Sequence, residues 1–562
     1  MKYRITSLTN KIWNIQEKLT EPSDIVEILA KNRGVALDAF LNISIKNSLP
    51  DPFVFVDMEK AVCRIVDAIK NKQKIAILGD YDVDGVSSVS IFVKLLEHIE
   101  ADYTYVIPSR VDDGYGLSMA NIEKHKECLI IAVDCGSSSV EELAYAKNNH
   151  IDVIVVDHHR MSAIPESYAL VNPYRPDEKD TYKYLCATGL VFICVVGVNR
   201  LLKEIGFYAK NAEPNLLEYL DLVALATVCD VMELRELNRA FVQSGLKIIW
   251  QRRNLGIDAL LSMYKSHCIN AETISFFLGP RLNAAGRMDR ADLSVRLLTT
   301  KNPIEAKKIA LRLENLNSER RTLEQKMATD VISLAREDQN FICIYNSSWH
   351  IGIIGIVAGR LKEKYQKPVI VISCDPNGMG KASCRSVESV DISDIIKKGI
   401  QQKIIVSGGG HAMAAGFSID VAKIKDLLEF LAANIEYKTS IPELYVDCIT
   451  PLNFITNEFI KTISVLEPFG AGNRSPKFVI PNVKIISARV VGENHIAFSL
   501  VDESGNSMRA ISFRSFGTSL GDILMKECSC VCALGSAVIS CWNDQKYVSF
   551  QLDDLSKSVT LE

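Results

Sequence analysis

At 562 residues the chain exceeds what one hydrophobic core serves, and at roughly 100–200 residues per domain it predicts three or four domains. Hydrophobic residues make up 48% and charged residues 23%, which excludes a disordered chain and fits a globular one. The formal net charge of −4 excludes a globally basic nucleic-acid binder, so any such contact has to come from local patches.

The start, MKYRITSLTNKIW, lacks the apolar core of a signal peptide, and no apolar run reaches the length of about 18 residues that a membrane span needs. The expectation is a cytoplasmic protein with no membrane contact. Fifteen cysteines, mostly single and inside apolar runs, read as reduced packing residues rather than a disulfide framework.

In chain order, residues 1–50 are predicted as a mainly helical lead-in. From 51 onward, β-branched apolar runs (75-IAIL-78, 104-TYVI-107, 129-LIIAV-133, 153-VIVV-156) alternate with amphipathic helices over 59–71, 88–100 and 139–149. That alternation predicts βαβ units on a parallel sheet, in a first domain extending over 51–302. A long charged helix over 303–337 then leads to a second α/β domain, 338–438. There 341-FICIY-345 and 368-PVIVIS-373 are predicted strands, 354–364 and 391–400 helices, and 404–419 a glycine-rich turn. Short, regularly spaced strands after 439 predict a β-barrel of the OB kind over 439–562.

The residues just beyond the strands carry the chemistry. The first run leads into 79-GDYDVDG-85, the third into 134-DCG-136 and the fourth into 157-DHHR-160. In an open parallel sheet these residues meet in the crevice outside the carboxyl ends of the strands. Asp230, in 222-LVALATVCDVMEL-234, would bring another carboxylate to the same rim. The set Asp80, Asp82, Asp84, Asp134, Asp157, His158, His159 and Asp230 combines hard oxygen ligands with imidazoles, which suits Mn²⁺ or Mg²⁺ better than zinc. It is large enough for two ions, which would clamp the attacking and leaving oxygens of an in-line phosphoryl displacement.

Each piece also has a plainer reading. An Asp-x-Asp-x-Asp-Gly run can open a calcium loop, although the Val-Ser-Ser-Val-Ser after it lacks the later carboxylate. Asp134 alone would serve as a helix cap, and a histidine pair alone as a satisfied polar group. In the second α/β region His350, Ser383, Arg385 and His411 stand out, with glycines 408–410 able to admit a close ligand or merely to turn the chain. Residues 287–326 hold ten Arg or Lys against six acids, a basic patch or the solvated face of a helix.

Taken together, 80-DYDVDG-85, Asp134, 157-DHH-159 and Asp230 resemble the DHH phosphoesterase superfamily, and 407-SGGGHAMAAG-416 resembles the glycine-rich motif of its DHHA1 domain. The stretches 107-IPSRVDDGYGLS-118, 279-GPRLNAAGRMDRADLSVRLL-298, 313-LENLNSERR-321, 349-WHIGIIGIVAGRL-361 and 466-LEPFGAGN-473 narrow the resemblance to the RecJ family of single-strand-specific 5′→3′ exonucleases. It spans about 50 to 555 and implies DHH, DHHA1 and OB domains around a cleft. It also implies two ions, Mn²⁺ or Mg²⁺, one held by Asp82 and Asp134 and the other by Asp84, Asp134, His158 and Asp230. His159 would contact the scissile phosphate, and Asp157 would support the first histidine. Related pyrophosphatases place a metal-binding histidine where this chain has Leu78, so Asp80 is the substitute ligand.

The family's Gly-Ser-Gly-Arg-Ser segment reads 382-ASCRS-386, which keeps Ser383 and Arg385 for a 5′-phosphate pocket with Arg110, Arg281 and His411. The implied substrate is single-stranded DNA, degraded to 5′-mononucleotides in repair and recombination. A helicase and a single-strand-binding protein would supply it, and the enzyme would act as a monomer. A DHH phosphoesterase of small substrates, such as nanoRNA or cyclic dinucleotides, and a nonhydrolytic DNA-binding scaffold are the competing readings.

Overall fold

The N-terminal residues depart from the helical lead-in. Strands β1 (Tyr3–Thr6) and β2 (Ile12–Lys18) pair antiparallel, and β2 runs parallel to a strand at Glu443–Ile449, more than 400 residues away. Trp13 and Ile15 are buried while their neighbours are not, a period of two that only a strand produces. Short helices at Ile25–Asn32, Leu37–Leu41 and Ile45–Ser48 come next. This is a computed structural model that describes residues 3–108, 116–161, 163–209, 211–266, 268–334, 340–437, 441–528, 530–542 and 545–557.

The first α/β unit is built on five parallel strands: β3 (Ile75–Gly79), β4 (Tyr103–Val106), β5 (Leu129–Val133), β6 (Val153–Val156) and β7 (Ala169–Val171), in the order β4-β3-β5-β6-β7. Every residue of β3, β5, β6 and β7 is buried, as expected of a sheet covered by helices on both faces. β7 is absent from the sequence-based expectation because three residues are too few to show a pattern. The chain leaves β3 for β4 on one side and returns to β5 on the other, so the sheet's switch point lies between β3 and β5. The helices Val83–His98, Ala187–Glu204 and Leu220–Cys229 pack into one apolar core with this sheet.

A helix from Pro303 to Leu334, 32 residues and about 48 Å long at 1.5 Å per residue, leads out of this unit. The second sheet has the order β11-β12-β10-β9-β8, with β8 (Ile342–Asn346), β9 (Val369–Cys374), β10 (Met379–Arg385), β11 (Ser407–His411) and β12 (Ala414–Asp420). The predicted glycine-rich turn is therefore a hairpin, with the glycines inside an exposed edge strand. The last unit contains β13 (Glu443–Ile449), β14 (Phe478–Val491), β15 (His495–Val501), β16 (Ser507–Ser512), β17 (Val531–Trp542) and β18 (Gln545–Lys557). Strands β14-β15-β16-β18-β17 close into a barrel through β14–β17 pairing. The N-terminal hairpin is locked onto it where the fully buried Trp13 Nε1–H donates to Asp554 at 3.0 Å. Among the described residues no helix is long and apolar enough to cross a membrane.

Candidate metal centre and active site

β3 ends at Gly79 and the chain turns at once into the helix Val83–His98. A Cβ on Gly85 would lie 2.4 Å from the Asp80 carbonyl oxygen, so only glycine lets the helix start tuck under the acidic loop. Asp82 caps that helix, its Oδ1 accepting from Asp84 N–H at 2.9 Å and Gly85 N–H at 3.2 Å. Asn283 fixes the same turn by accepting from Val83 N–H at 3.2 Å.

Asp84 is 1% exposed and reaches across to the N-terminus of the helix Ala187–Glu204. Its carboxylate accepts from Ala187 N–H at 2.8 Å, Thr188 N–H at 2.8 Å and the Thr188 hydroxyl at 2.6 Å. Asp134, just beyond β5, adopts left-handed backbone with φ 59°. Its buried Oδ1 accepts no hydrogen bond among the described residues. Asp230 ends the helix Leu220–Cys229.

These groups converge on the first histidine. His158 Nε2 lies 3.4 Å from Asp134 Oδ1 and 3.5 Å from both Asp84 Oδ2 and Asp230 Oδ2. Two sets of ligand atoms, Asp80-Asp82-Asp134 and Asp84-His158-Asp230, each fall within 4.8 Å of one another. Burial, then the charges of Asp84 and Asp82, push Asp230 up to about 8. Burial and the neighbouring acids also hold Asp134 well above the usual carboxylate range and raise Asp82. Cations are what such a set lacks. A hard, oxygen-rich donor set with an orphaned buried carboxylate oxygen fits Mn²⁺ or Mg²⁺.

The environments of the two histidines separate them chemically. Burial lowers His158, leaving a neutral ring able to act as a ligand. Burial opposes charge on His159 too, but the hydrogen bond and charge of Asp157 outweigh it and raise His159 to about 9. Here the expected role of Asp157 needs correcting. Its Oδ1 accepts from His159 Nδ1 at 2.8 Å, while it meets His158 only through the backbone N–H at 2.7 Å. Asp157 therefore orients the second histidine's ring, because its own turn presents the backbone of residue 158 but the side chain of residue 159. Asp157 Oδ2 also accepts from Ser137 N–H at 3.1 Å, which ties the loop after β6 to the loop after β5.

On the second domain, Ser383 and Arg385 share the face of β10 toward the helix Ile354–Tyr365, and the guanidinium donates to Ser383 Oγ at 3.3 Å. A Cβ on Gly355, in the first turn of the helix Ile354–Tyr365, would lie 3.0 Å from Ser383 Oγ and 3.3 Å from Arg385 Nη2. A hydroxyl, a guanidinium and a helix N-terminus together are groups that could receive an anion. Ala382 and Cys384 point the other way, into the domain core, so neither side chain competes for the space around Ser383 and Arg385. Burial lowers His411, at the end of the exposed edge strand, and the charges of His159, Arg160 and His158 add to that lowering. His350 accepts from Gly352 N–H at 3.1 Å, a local turn contact.

Arg281 does not join Ser383 and Arg385. It is buried, pairs with Glu314, donates to the Phe277 carbonyl at 2.8 Å and stacks on the Phe277 ring at 3.6 Å. Arg110 lies outside the described residues. Four of the ten basic residues of 287–326 pair with acids of the same stretch, as Arg290–Asp292, Arg296–Glu305, Arg312–Asp289 and Arg320–Glu324. Thr188 and Asn283 have roles that the sequence pattern does not announce. Asn283 lies inside a recognised motif that assigns it no role, and Thr188 sits 104 residues from the acid it serves.

Three family models match the chain in sequence: the DHH family N-terminal domain over residues 74–227, the DHHA1 domain over 338–436 and the RecJ OB domain over 446–554. The single-stranded-DNA-specific exonuclease RecJ of Bacillus subtilis is 31% identical over 98% of this chain and 70% of its own length. Its namesake in Haemophilus influenzae is 32% identical over 90% of this chain and 91% of its own. The crystal structure of RecJ from Thermus thermophilus in complex with Mn²⁺ superposes with a TM-score of 0.81, at 26% identity over 98% of this chain and 80% of that one. The Mg²⁺ complex from the same organism gives 0.75 at 25% identity, over 98% of this chain and 79% of that one. With the three domain types in this order and similarity running through nearly all of the sequence, the chain belongs to the RecJ family.

Proposed function

We propose that this chain is a metal-dependent exonuclease that degrades single-stranded DNA from the 5′ end and releases 5′-mononucleotides in DNA repair and recombination. The observation that carries the reading is the pair of ligand sets, Asp80-Asp82-Asp134 and Asp84-His158-Asp230, lying side by side at the sheet's switch point. Asp80, Asp82 and Asp134 would hold one Mn²⁺ or Mg²⁺, and Asp84, Asp134, His158 and Asp230 the other. Bound there, the two ions supply Lewis-acid stabilisation of the attacking and departing oxygens.

The chain's own groups do the rest. His159, kept protonated by Asp157, presents a cation to the scissile phosphate. Ser383, Arg385 and the helix start at Gly355 hold the terminal 5′ phosphate, which sets polarity, and His411 on the neighbouring hairpin adds a contact to it. The barrel domain retains the downstream strand through stacking and cationic contacts. The chain would work as a cytoplasmic monomer, on strands supplied by a helicase and a single-strand-binding protein.

Degradation of 5′-labelled and 3′-labelled single strands and of duplex, in Mn²⁺ and in chelator, tests this. The expected result is early release of the 5′ label from single strands only, abolished by chelator and by Asp82→Ala or His158→Ala. Activity that survives chelation, or that favours dinucleotides over long strands, overturns it. Binding without degradation would establish the scaffold reading instead.

A further inference from the structure

Beside the acidic rim lies a groove of different chemistry. It encloses about 470 Å³, and Val231, Phe276, Asn283, Arg287, Arg320 and Ile356 are among the residues that line it. None of its described lining residues is acidic. Two of its lining residues adjoin the metal centre: Val231 directly follows Asp230, and Asn283 accepts from Val83 N–H between Asp82 and Asp84. Its far wall is Gly470 and Ala471, on the segment entering the barrel domain, where the Ala471 carbonyl accepts from Leu234 N–H at 2.8 Å.

Two large apolar side chains stand in solvent here, Phe276 at 74% exposure and Val231 at 72%. Neither is a casual surface residue. Val231 holds φ 57°, a left-handed conformation that is a genuine outlier for a β-branched side chain. Phe276 sits on a π-helical turn, Ile274–Leu278, a rare wide turn found mostly at functional sites. On this turn Ile274 and Leu278 are buried and the Phe277 ring lies under the Arg281 guanidinium, while Phe276 projects outward. Behind it, Arg320 and Arg360 share the single buried carboxylate of Glu324 at 2.8 Å each, so that cluster keeps a net positive charge.

Resting on the exonuclease reading above, we propose that this groove seats the nucleotide on the 3′ side of the scissile bond, with its base stacked on Phe276. The groove runs from Ile356, next to the Gly355 that faces Ser383 and Arg385, to Gly470 and Ala471 on the segment entering the barrel, so it lies between the held 5′ end and the domain that retains the downstream strand. An exposed aromatic ring beside guanidinium groups is the platform that single strands use, and it tolerates any base because every base has a π-face. A base inside a duplex already has both faces covered. The platform therefore selects for unpaired DNA at the point of cleavage.

The test is single-turnover release of the first nucleotide from single strands carrying one abasic residue, walked from the 5′ end. Phe276→Ala should raise KM on the intact strand by about 5- to 150-fold, the value of one base stack, with kcat changed by less than about threefold. Phe276→Trp should retain wild-type KM. One downstream abasic position should penalise the wild type and leave Phe276→Ala unaffected. A KM within about twofold of wild type for Phe276→Ala, or an abasic penalty that persists in it at every position, overturns the assignment. Because Phe276 is exposed, its removal opens no core cavity, and an unchanged Tm checks this. A wild type that fails to degrade single strands in Mn²⁺ would instead refute the exonuclease reading itself.

Discussion

Asp84 and Asp230 face the same His158 nitrogen at 3.5 Å, yet their removal should move the stability of the metal-free protein in opposite directions. Asp84→Ala leaves the N–H groups of Ala187 and Thr188 and the Thr188 hydroxyl without their acceptor, at a position 1% exposed. Each buried orphan costs about 1–3 kcal/mol, and relief of repulsion from Asp82, Asp134 and Asp230 returns part of that. A net loss of about 3 kcal/mol lowers Tm by roughly 6–12 °C for a unit of this size. Among the described residues Asp230 accepts no comparable set of bonds, and burial with the charges of Asp84 and Asp82 pushes it up to about 8, so Asp230→Ala removes a carboxyl whose ionisation its surroundings oppose. Its Tm in chelator should equal or exceed wild type. Thermal unfolding in chelator, with hydrogen exchange at the first turn of Ala187–Glu204 as a local reporter, measures both variants. Nuclease assays in Mn²⁺ should find both inactive. Chelator midpoints within about 2 °C of each other would refute the capping role of Asp84.

Asp157→Asn removes the carboxylate that charges and orients His159 at 2.8 Å. The single-turnover rate should fall by about 10²–10⁴-fold with bound Mn²⁺ unchanged, and a rate within threefold of wild type would exclude this role. In the metal-free protein the raised Asp230 favours folding fully below its unfolded value of 3.8, and that contribution is lost as pH rises through about 8. Mn²⁺ must displace the same proton, so saturating Mn²⁺ should raise Tm more at pH 8.5 than at pH 6, and equal shifts would contradict the linkage. Arg385→Ala should erase a preference for 5′-phosphorylated over 5′-hydroxyl strands by about 10- to 100-fold in kcat/KM, the worth of a charged hydrogen bond. An undiminished preference would move the phosphate pocket elsewhere.

The parallel sheet and its rim were legible because buried strands of four or five small or aliphatic residues give continuous apolar runs, and acids directly after such runs have only one crevice in which to meet. The N-terminal hairpin was not legible. Trp13 and Ile15 offer two buried positions in a seven-residue strand whose partner, Glu443–Ile449, comes from the other end of the chain. The edge strand Ser407–His411 failed for another reason: three successive glycines carry no alternation, and only pairing with Ala414–Asp420 makes them a strand. At the site, residue types identified the candidate ligands, but hydrogen-bond direction decided which histidine Asp157 serves. Local backbone geometry settles that, and spacing does not record it. Arg281 failed similarly, because a motif position cannot reveal that Glu314 and Phe277 already occupy the guanidinium.

The same carboxylates that suit metal also hold the fold. Asp82 caps Val83–His98, Asp84 satisfies the start of Ala187–Glu204, and Asp157 ties the loops after two strands together. Helix N-termini carry partial positive charge, so two helices aim their favourable ends at the acid cluster and offset part of its repulsion before any cation arrives. Among the described residues Asp134 and Asp230 have no such donors. Asp134 Oδ1 accepts no hydrogen bond among the described residues, and both groups are pushed upward by their neighbours. The cluster thus divides into acids neutralised by the fold and acids left for the ions. Asp134, at the junction of the two ligand sets and in a left-handed backbone conformation, is where the metals would return the most. A centre built this way has part of its repulsion offset by the fold and keeps, in Asp134, a buried carboxylate oxygen that a cation would satisfy.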